Sequence, residues 1–271
     1  MLLLLSYLLA LLIGLSIGIM GSGGAILAVP ILYYVAGYSM LEASVYSLFV
    51  VGATSAVGAM RSWKNKLVNW SAVLFFGIPS VICVYLTRLF IVPLFPKTIF
   101  SVADFSMPLD MALLMLFAVL MLLAARSMLR KQVVGAQTSL NFNSNKSRLQ
   151  IIMFGVIVGA LTAILGAGGG FLIIPALVLF MYLPMKEAIG TSMFIVAMNA
   201  LNGFIGSLLK GSVNLNYQFL LIFSLMAIIG LFIGMHWSKR LNAEKLKRAF
   251  AFFVLGMGLF IIVQQILNHL K

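Results

Sequence analysis

The sequence predicts an all-α, polytopic membrane protein of two inverted repeats, each a glycine-broken or re-entrant helix followed by three transmembrane helices. Three observations carry this: extreme apolarity, an internal repeat and the distribution of basic residues. Of 271 residues, 63% are hydrophobic and 8% charged, and the mean hydropathy is +1.16; an ordinary soluble domain carries roughly 25% charged residues. At about 20 residues per crossing, apolar segments fill most of the length and leave short loops, so the lipid bilayer is the first partner the composition implies. A net charge of +13 would suggest nucleic acid in a soluble protein. Here the bases sit in clusters between apolar runs, which marks loops for topology, and the reading is no nucleic acid.

Sliding the sequence against itself by 145 residues aligns Ala10 to Asn69 with Gly155 to Asn214 without a gap, and 18 of those 60 positions are identical. The identities include Gly21/Gly166, Gly23/Gly168, Gly24/Gly169, Pro30/Pro175, Glu42/Glu187, Ser47/Ser192 and Gly58/Gly203. These are not merely shared leucines. The chain divides into a first membrane repeat (1–130), a polar cytoplasmic linker (131–148) rich in Gln, Asn, Ser and Lys, and a second membrane repeat (149–271).

Taken in order, copy one begins with a helix from Leu2 to Met20. It lacks the basic start and small-residue cleavage site of a signal peptide, so it reads as a retained span. A glycine break follows, then a short apolar helix from Ala25 to Ala36 and helices near Met40 to Met60, Val68 to Phe90 and Pro108 to Leu129. Copy two repeats this near Gln150 to Leu165, Phe171 to Tyr182, Met185 to Leu208, Val213 to His236 and Ala243 to Leu267. The piece after each break is too short to cross comfortably, so it either dips in and returns or belongs to a strongly broken helix.

Charge orients the copies. Parallel copies would split the 18 Lys and Arg 10 to 8 between the two sides, whereas inverted copies split them 14 to 4, with only Arg88, Lys97, Lys210 and Lys271 outside. The positive-inside rule favours inversion. Inverted repeats are a transporter architecture, with the site near the midplane where the copies meet.

The breaks read Gly21-Ser22-Gly23-Gly24 and Gly166-Ala167-Gly168-Gly169-Gly170. A chain that unwinds at glycine and re-enters a helix leaves backbone N–H groups at a positive dipole end, and in lipid these need a partner such as an anion. The alternative is that the glycines only permit tight packing or a sharp turn. A second signal lies in the following helices, where Ser47, Thr54 and Gly58 in copy one and Ser192, Asn199 and Gly203 in copy two fall on one helix face. Thr191, Asn202 and Gly206 extend the second face. Such a stripe either lines a polar path or forms the small-and-polar seam by which membrane helices pack. The candidate substrate-binding residues are therefore Gly23, Gly24, Ser47, Thr54, Gly168, Gly169, Gly170, Thr191, Ser192, Asn199 and Asn202. Gly169→Val and Asn199→Leu are expected to fold yet lose the anion. No Lys or Arg is expected deep within a span.

Other features read as structural. Ser39-Met40-Leu41-Glu42 is a capping box, and Glu187 suits a first helical turn, so neither glutamate is assigned a proton relay. Ala10/Gly14/Gly18 and Gly155/Gly159/Ala163 are matched small-residue ridges for helix packing. The single Cys83 and the isolated His236 and His269 offer no metal site and no disulfide, and no cofactor is implied.

The segments Gly21 to Pro30 and Gly166 to Pro175, with Glu187-Ala188-Ile189-Gly190-Thr191-Ser192 and Gly211-Ser212-Val213-Asn214, resemble the sulfite exporter TauE/SafE family, also called 4-toluene sulfonate uptake permeases. The resemblance implies a bacterial-type, multi-pass inner-membrane carrier of sulfur-containing anions such as sulfite, thiosulfate, sulfoacetate or organosulfonates. Copy one departs from the pattern at Ala25, Tyr46 and Lys66, so the two half-sites are expected to contribute unequally, with copy two the stronger. The leading function is a secondary carrier whose partners are a small anionic substrate and a coupling ion, proton or sodium, unless the substrate's own gradient or another protein drives it. No nucleotide-binding GxxxxGK[ST] loop is present. An anion channel could share the same lining. An intramembrane enzyme would need a nucleophile and a base within reach, and the paucity of His, Asp and Glu inside the spans argues against it.

Overall fold

The computed structural model describes residues 2–96, 98–102, 105–129, 145–209, 215–238 and 243–269. Copy one supplies α1 (Leu2–Met20), α2 (Ala28–Tyr34), α3 (Met40–Lys64), α4 (Trp70–Leu94) and α5 (Leu109–Leu129). Copy two supplies α6 (Asn145–Leu165), α7 (Gly170–Phe180), α8 (Met185–Leu209), α9 (Tyr217–Ser238) and α10 (Ala243–His269). All ten predicted segments are found. Seven helical stretches among the described residues are long and apolar enough to cross a membrane. Most of the linker, Lys97, Lys210 and the Gly211 to Asn214 motif lie outside the described residues; α6 starts at Asn145, inside the stretch read as linker.

The chain departs from all-helical structure at a small antiparallel hairpin, β1 (Thr98–Val102) with β2 (Phe105–Pro108), which joins α4 to α5. Its first strand, Thr-Ile-Phe-Ser-Val, is rich in β-branched and aromatic residues, which suit an extended chain.

Local signals set the helix ends. Ser39 and Glu42 form the predicted capping box: Glu42 N donates to Ser39 Oγ at 3.3 Å and Ser39 N to Glu42 Oε2 at 2.9 Å. Asn69 and Asn216 cap α4 and α9, accepting from Ala72 N and Phe219 N at 3.0 Å each.

Helix α4 is irregular for a reason visible in its prolines. Pro79 and Pro93 have no N–H to donate, and the turn before each widens: Ile78 N reaches back to Val73 O, and Val92 N to Thr87 O, giving π turns at Val73–Gly77 and Thr87–Ile91. The consequence is a face. Leu74, Ile78, Ile82, Leu86, Phe90 and Leu94 recur every fourth residue and are all exposed. In a regular helix five such steps would drift by about 200°. The two extra residues of the π turns take back about 100° each, so one apolar stripe faces outward along the whole helix.

Packing is symmetric under exchange of the copies. Helix α1 lies on α9, with Gly14 against Ala227 and Leu231 and Gly18 against Leu231 and Gly234, so contacts advance together and the two helices run parallel. Its equivalent, α6, lies parallel on α4, with Gly155 against Phe76 and Gly159 against Ser80. A Cβ at Gly14 would overlap the Ala227 carbonyl and one at Gly230 the Leu11 carbonyl. The small-residue ridges are thus backbone-to-backbone seams. At the centre α3 crosses α8 antiparallel: Gly203 meets Leu48, Gly52 meets Leu201 and Gly58 meets Met193.

The N-terminal ends of α1, α3 and α9 gather at one end of the bundle, where Tyr7, Tyr46 and Phe219 are in ring contact and Asn216 N donates to Tyr46 Oη at 2.6 Å. Those of α4 and α8 gather elsewhere, where Asn69 N donates to Thr191 Oγ1 at 2.9 Å and Trp70 packs edge-on to Phe194. Tyr46 and Thr191 are equivalent positions in the repeat. The longer tyrosine reaches Asn216, two residues beyond the repeat partner of Asn69.

Candidate functional site

The two glycine breaks meet in the middle of the bundle. A Cβ at Gly170 would overlap the backbone of Ser22, and one at Gly168 would press on both Val51 and Val196, which are equivalent residues near the midpoints of α3 and α8. The breaks are not alike. In copy one, Gly21 has φ +74 and the chain then tightens into a 3-10 turn, Gly21–Leu27, that doubles back along α1; Ser16 Oγ donates to Gly24 O at 3.1 Å. In copy two, Gly166, Gly168 and Gly169 have φ of +70, +67 and +70, a left-handed run that only glycine adopts freely. Gly166 N donates to Thr162 O at 2.8 Å, and the amides of Ala167, Gly168 and Gly169 have no acceptor among the described residues. The break ends at the N-terminus of α7, capped by no side chain.

Each break faces the other copy. Gly21 lies on Ile189 of α8, whereas Gly166 lies on Ser44 and Gly168 on Val51, both of α3. Ser44, Ser47 and Val51 follow the three- and four-residue spacing of one helix face, so Ser47 stands between the two contacts with break two. The polar face of copy one therefore addresses the glycines of copy two, where the sequence alone had grouped glycines and polar side chains within a copy.

The candidate residues separate by what they touch. Gly23, Gly24, Gly168, Gly169 and Gly170 are all buried at the meeting of the breaks. Ser47 and Thr54 are fully buried with hydroxyls that have no partner among the described residues, as are Ser22 and Thr162 beside the breaks. Asn199 donates through Nδ2 to Ser80 Oγ at 2.8 Å, and its Oδ1 is buried without a partner. Ser192 Oγ bonds locally to Ile189 O and Asn202 Nδ2 to Met198 O. Thr191 ties the cap of α4, as described. Unpaired buried hydroxyls and amides are costly in an apolar interior, and two of them stand at the breaks, Ser22 against Gly170 and Thr162 against Gly169.

Two expectations are corrected. A Cβ at Gly169 would overlap Thr162 Oγ1, and its φ is positive, so Gly169→Val distorts the break itself and does not test binding. And a basic residue does lie deep in a span: Arg88, counted from the sequence on the outer side at the end of the Val68 to Phe90 helix, is 2% exposed. Arg88 sits halfway between Leu86 and Phe90 of the outward stripe, so the π turn that keeps those two outside turns Arg88 inward. Prolines spaced to force wide turns were the signal that could have found it. Its side chain passes Gly206 of α8 and reaches Gly166 of the second break; Nη1 and Nη2 each donate to Ser44 Oγ at 3.1 Å.

The profile of the sulfite exporter TauE/SafE family matches residues 6–261. A probable membrane transporter protein of Xylella fastidiosa (strain Temecula1) is 27% identical over 93% of this chain and 91% of its own length. One of Methanocaldococcus jannaschii is 28% identical over 94% and 95%, and YunE of Bacillus subtilis, also a probable membrane transporter protein, 27% over 80% and 84%. No solved structure matches the chain. The matched relatives are named as transporters, and the family match spans both copies and both glycine breaks: this chain is a multi-pass membrane transporter that belongs to the sulfite exporter TauE/SafE family.

Proposed function

We propose that the chain is a secondary carrier of small sulfur-containing anions such as sulfite, thiosulfate or organosulfonates, acting in the inner (plasma) membrane. The observation that carries this reading is the meeting of the two breaks, where amides of Ala167, Gly168 and Gly169 and the hydroxyls of Ser22, Ser47 and Thr162 stand buried and unpaired. A sulfur oxyanion spreads its charge over several oxygens, so many moderate donors bind it and still release it. The substrate-binding set is Gly23, Gly24, Ser47, Thr54, Gly168, Gly169, Gly170, Ser192, Asn199 and Asn202, while the Thr191 hydroxyl is assigned to the α4 cap.

The repeats are proposed to be inverted across the bilayer, 1–130 against 149–271, with 131–148 cytoplasmic. Support comes from the opposed gathering of helix starts, α3 with α9 but α8 with α4. Support also comes from Arg88, which, being buried, no longer counts as a loop residue and sharpens the basic split to 14 to 3. In such folds transport is rocking of one repeat against the other around a fixed site. Apart from half-buried Asn202 these groups are buried, so the substrate is proposed to enter when α3 and α8 part. A proton or sodium ion is the proposed coupling partner.

Flux in proteoliposomes tests the reading. Saturable counterflow of labelled sulfite or an organosulfonate is expected; a large unsaturated anion current would make the protein a channel, and no flux of any sulfur anion would refute the substrate class.

A further inference from the structure

Arg88 is a buried charge without a counter-charge among the described residues. A guanidinium carries five N–H donors. Two are directed at the single oxygen of Ser44, which itself donates to Leu41 O at 2.8 Å, and Nε is buried with no partner. Each Nη keeps a second N–H, so three donors remain. Ser44 is Arg88's sole hydrogen-bond partner among the described residues, and no carboxylate is within ion-pair reach of it there. Glu42, the acid nearest to Ser44 along α3, is turned away to cap Ser39. A lone charge in an apolar interior is costly unless paired.

The arginine is also unmatched in the repeat. Helix α9, the counterpart of α4, carries no Lys or Arg between Tyr217 and Ser238, and the position equivalent to Ser44 is Ile189. Around break one, Gly21 therefore meets an isoleucine side chain, while around break two Gly166 meets a guanidinium, with Nη2 2.6 Å from where a Cβ would stand. Gly166 has φ +70, and its missing side chain is what lets the guanidinium approach the backbone.

We infer that Arg88 is the charged ligand of the transported anion, held by Ser44 against the second glycine break, and that the protein has one charged half-site, not two. The inference rests on the reading of the chain as an anion carrier and specifies its site: an oxyanion with at least two oxygens on one face takes the free guanidinium edge and the unpaired amides of Ala167 to Gly169. Copy one, through α3 and α4, supplies the charge; copy two supplies the backbone. The anion thus bridges the two repeats and is placed to respond to their relative motion.

The test uses the full chain, purified, with thermal unfolding followed in sodium sulfite, sodium thiosulfate and sodium methanesulfonate, and sodium chloride as ionic-strength control. Wild type is stabilised saturably by at least one of the three. Arg88→Met removes an unpaired buried charge, so its anion-free midpoint stays level or rises, while half-saturation weakens on the order of 10- to 100-fold. Arg88→Gln serves the same purpose if the methionine variant does not fold, and Arg88→Lys recovers part of the affinity. Wild-type half-saturation in either neutral variant overturns the inference and leaves the carrier reading standing, as does an anion-free midpoint that drops with binding unchanged, which would make Arg88 a structural anchor. A wild type that none of the three anions stabilises refutes the carrier reading, and the inference with it.

Discussion

Thr191→Val separates a cap from a binding group. Thr191 is fully buried, and its hydroxyl accepts from Asn69 N at 2.9 Å while Asn69 Oδ1 accepts from Ala72 N at 3.0 Å. The threonine thereby holds the residue that starts α4. Valine keeps the shape and removes the acceptor, leaving a half-buried amide without its partner. A net hydrogen bond is worth about 0.5–1.5 kcal/mol, and inter-helix bonds in membrane proteins average about 0.6 kcal/mol with a maximum near 1.7. The unfolding midpoint should therefore fall by about 2–4 °C for each kcal/mol lost. Tyr46→Phe repeats the experiment at the equivalent position, where the Asn216 amide bond is 2.6 Å. The single Cys83, partly buried on α4, gives the assay: a thiol-reactive fluorophore reports unfolding as the thiol is uncovered. Anion affinity should stay at the wild-type value in both variants. A Thr191→Val protein that melts like wild type yet loses anion-induced stabilisation would refute the capping argument and return Thr191 to the binding surface.

Three further outcomes follow from the same geometry. Single cysteines at Asn65 and Lys186 in a Cys83→Ala background should be labelled from one face of the membrane and one at Leu94 from the other; labelling of Asn65 and Lys186 from opposite faces would restore parallel repeats. Ser39→Ala should lower stability by about 0.5–2 kcal/mol, and Glu42→Gln should lower it while leaving the pH dependence of transport intact; a normally folded Glu42→Gln protein without that dependence would assign the glutamate to proton coupling. Gly14→Val should fail to give monodisperse protein, because its side chain would occupy the space of the Ala227 carbonyl; a wild-type elution profile and melt would mean the α1 and α9 seam can separate.

The sequence by itself determined most of what depends on neighbours along the chain, the β1–β2 hairpin and the π turns of α4 excepted. The ten helical segments, the glycine breaks, the Ser39 and Glu42 box and the ridges at Gly14 and Gly159 all express local periodicity, capping or backbone freedom, and an offset of 145 residues revealed that the breaks and ridges occur twice. Which copy faces which lay beyond that reach. Ser47 and Ser192 look alike in sequence, yet only packing decides that break two rests on α3 of copy one, through Ser44 and Val51. Thr191 and Asn69 lie 122 residues apart, so no spacing rule links them, and the hydroxyl that looked like a path-lining group is held by a cap. Arg88 is the sharpest case. Its place two residues from the end of the predicted Val68 to Phe90 helix grouped it with the outer charges, but the proline-driven π turns reset the rotation of α4 and carried it inward. Helical phase accumulates residue by residue at about 100° each, so one wide turn upstream moves every later side chain to a new face. The charge at the centre of this protein is set by that phase, and the phase exists only in the folded helix.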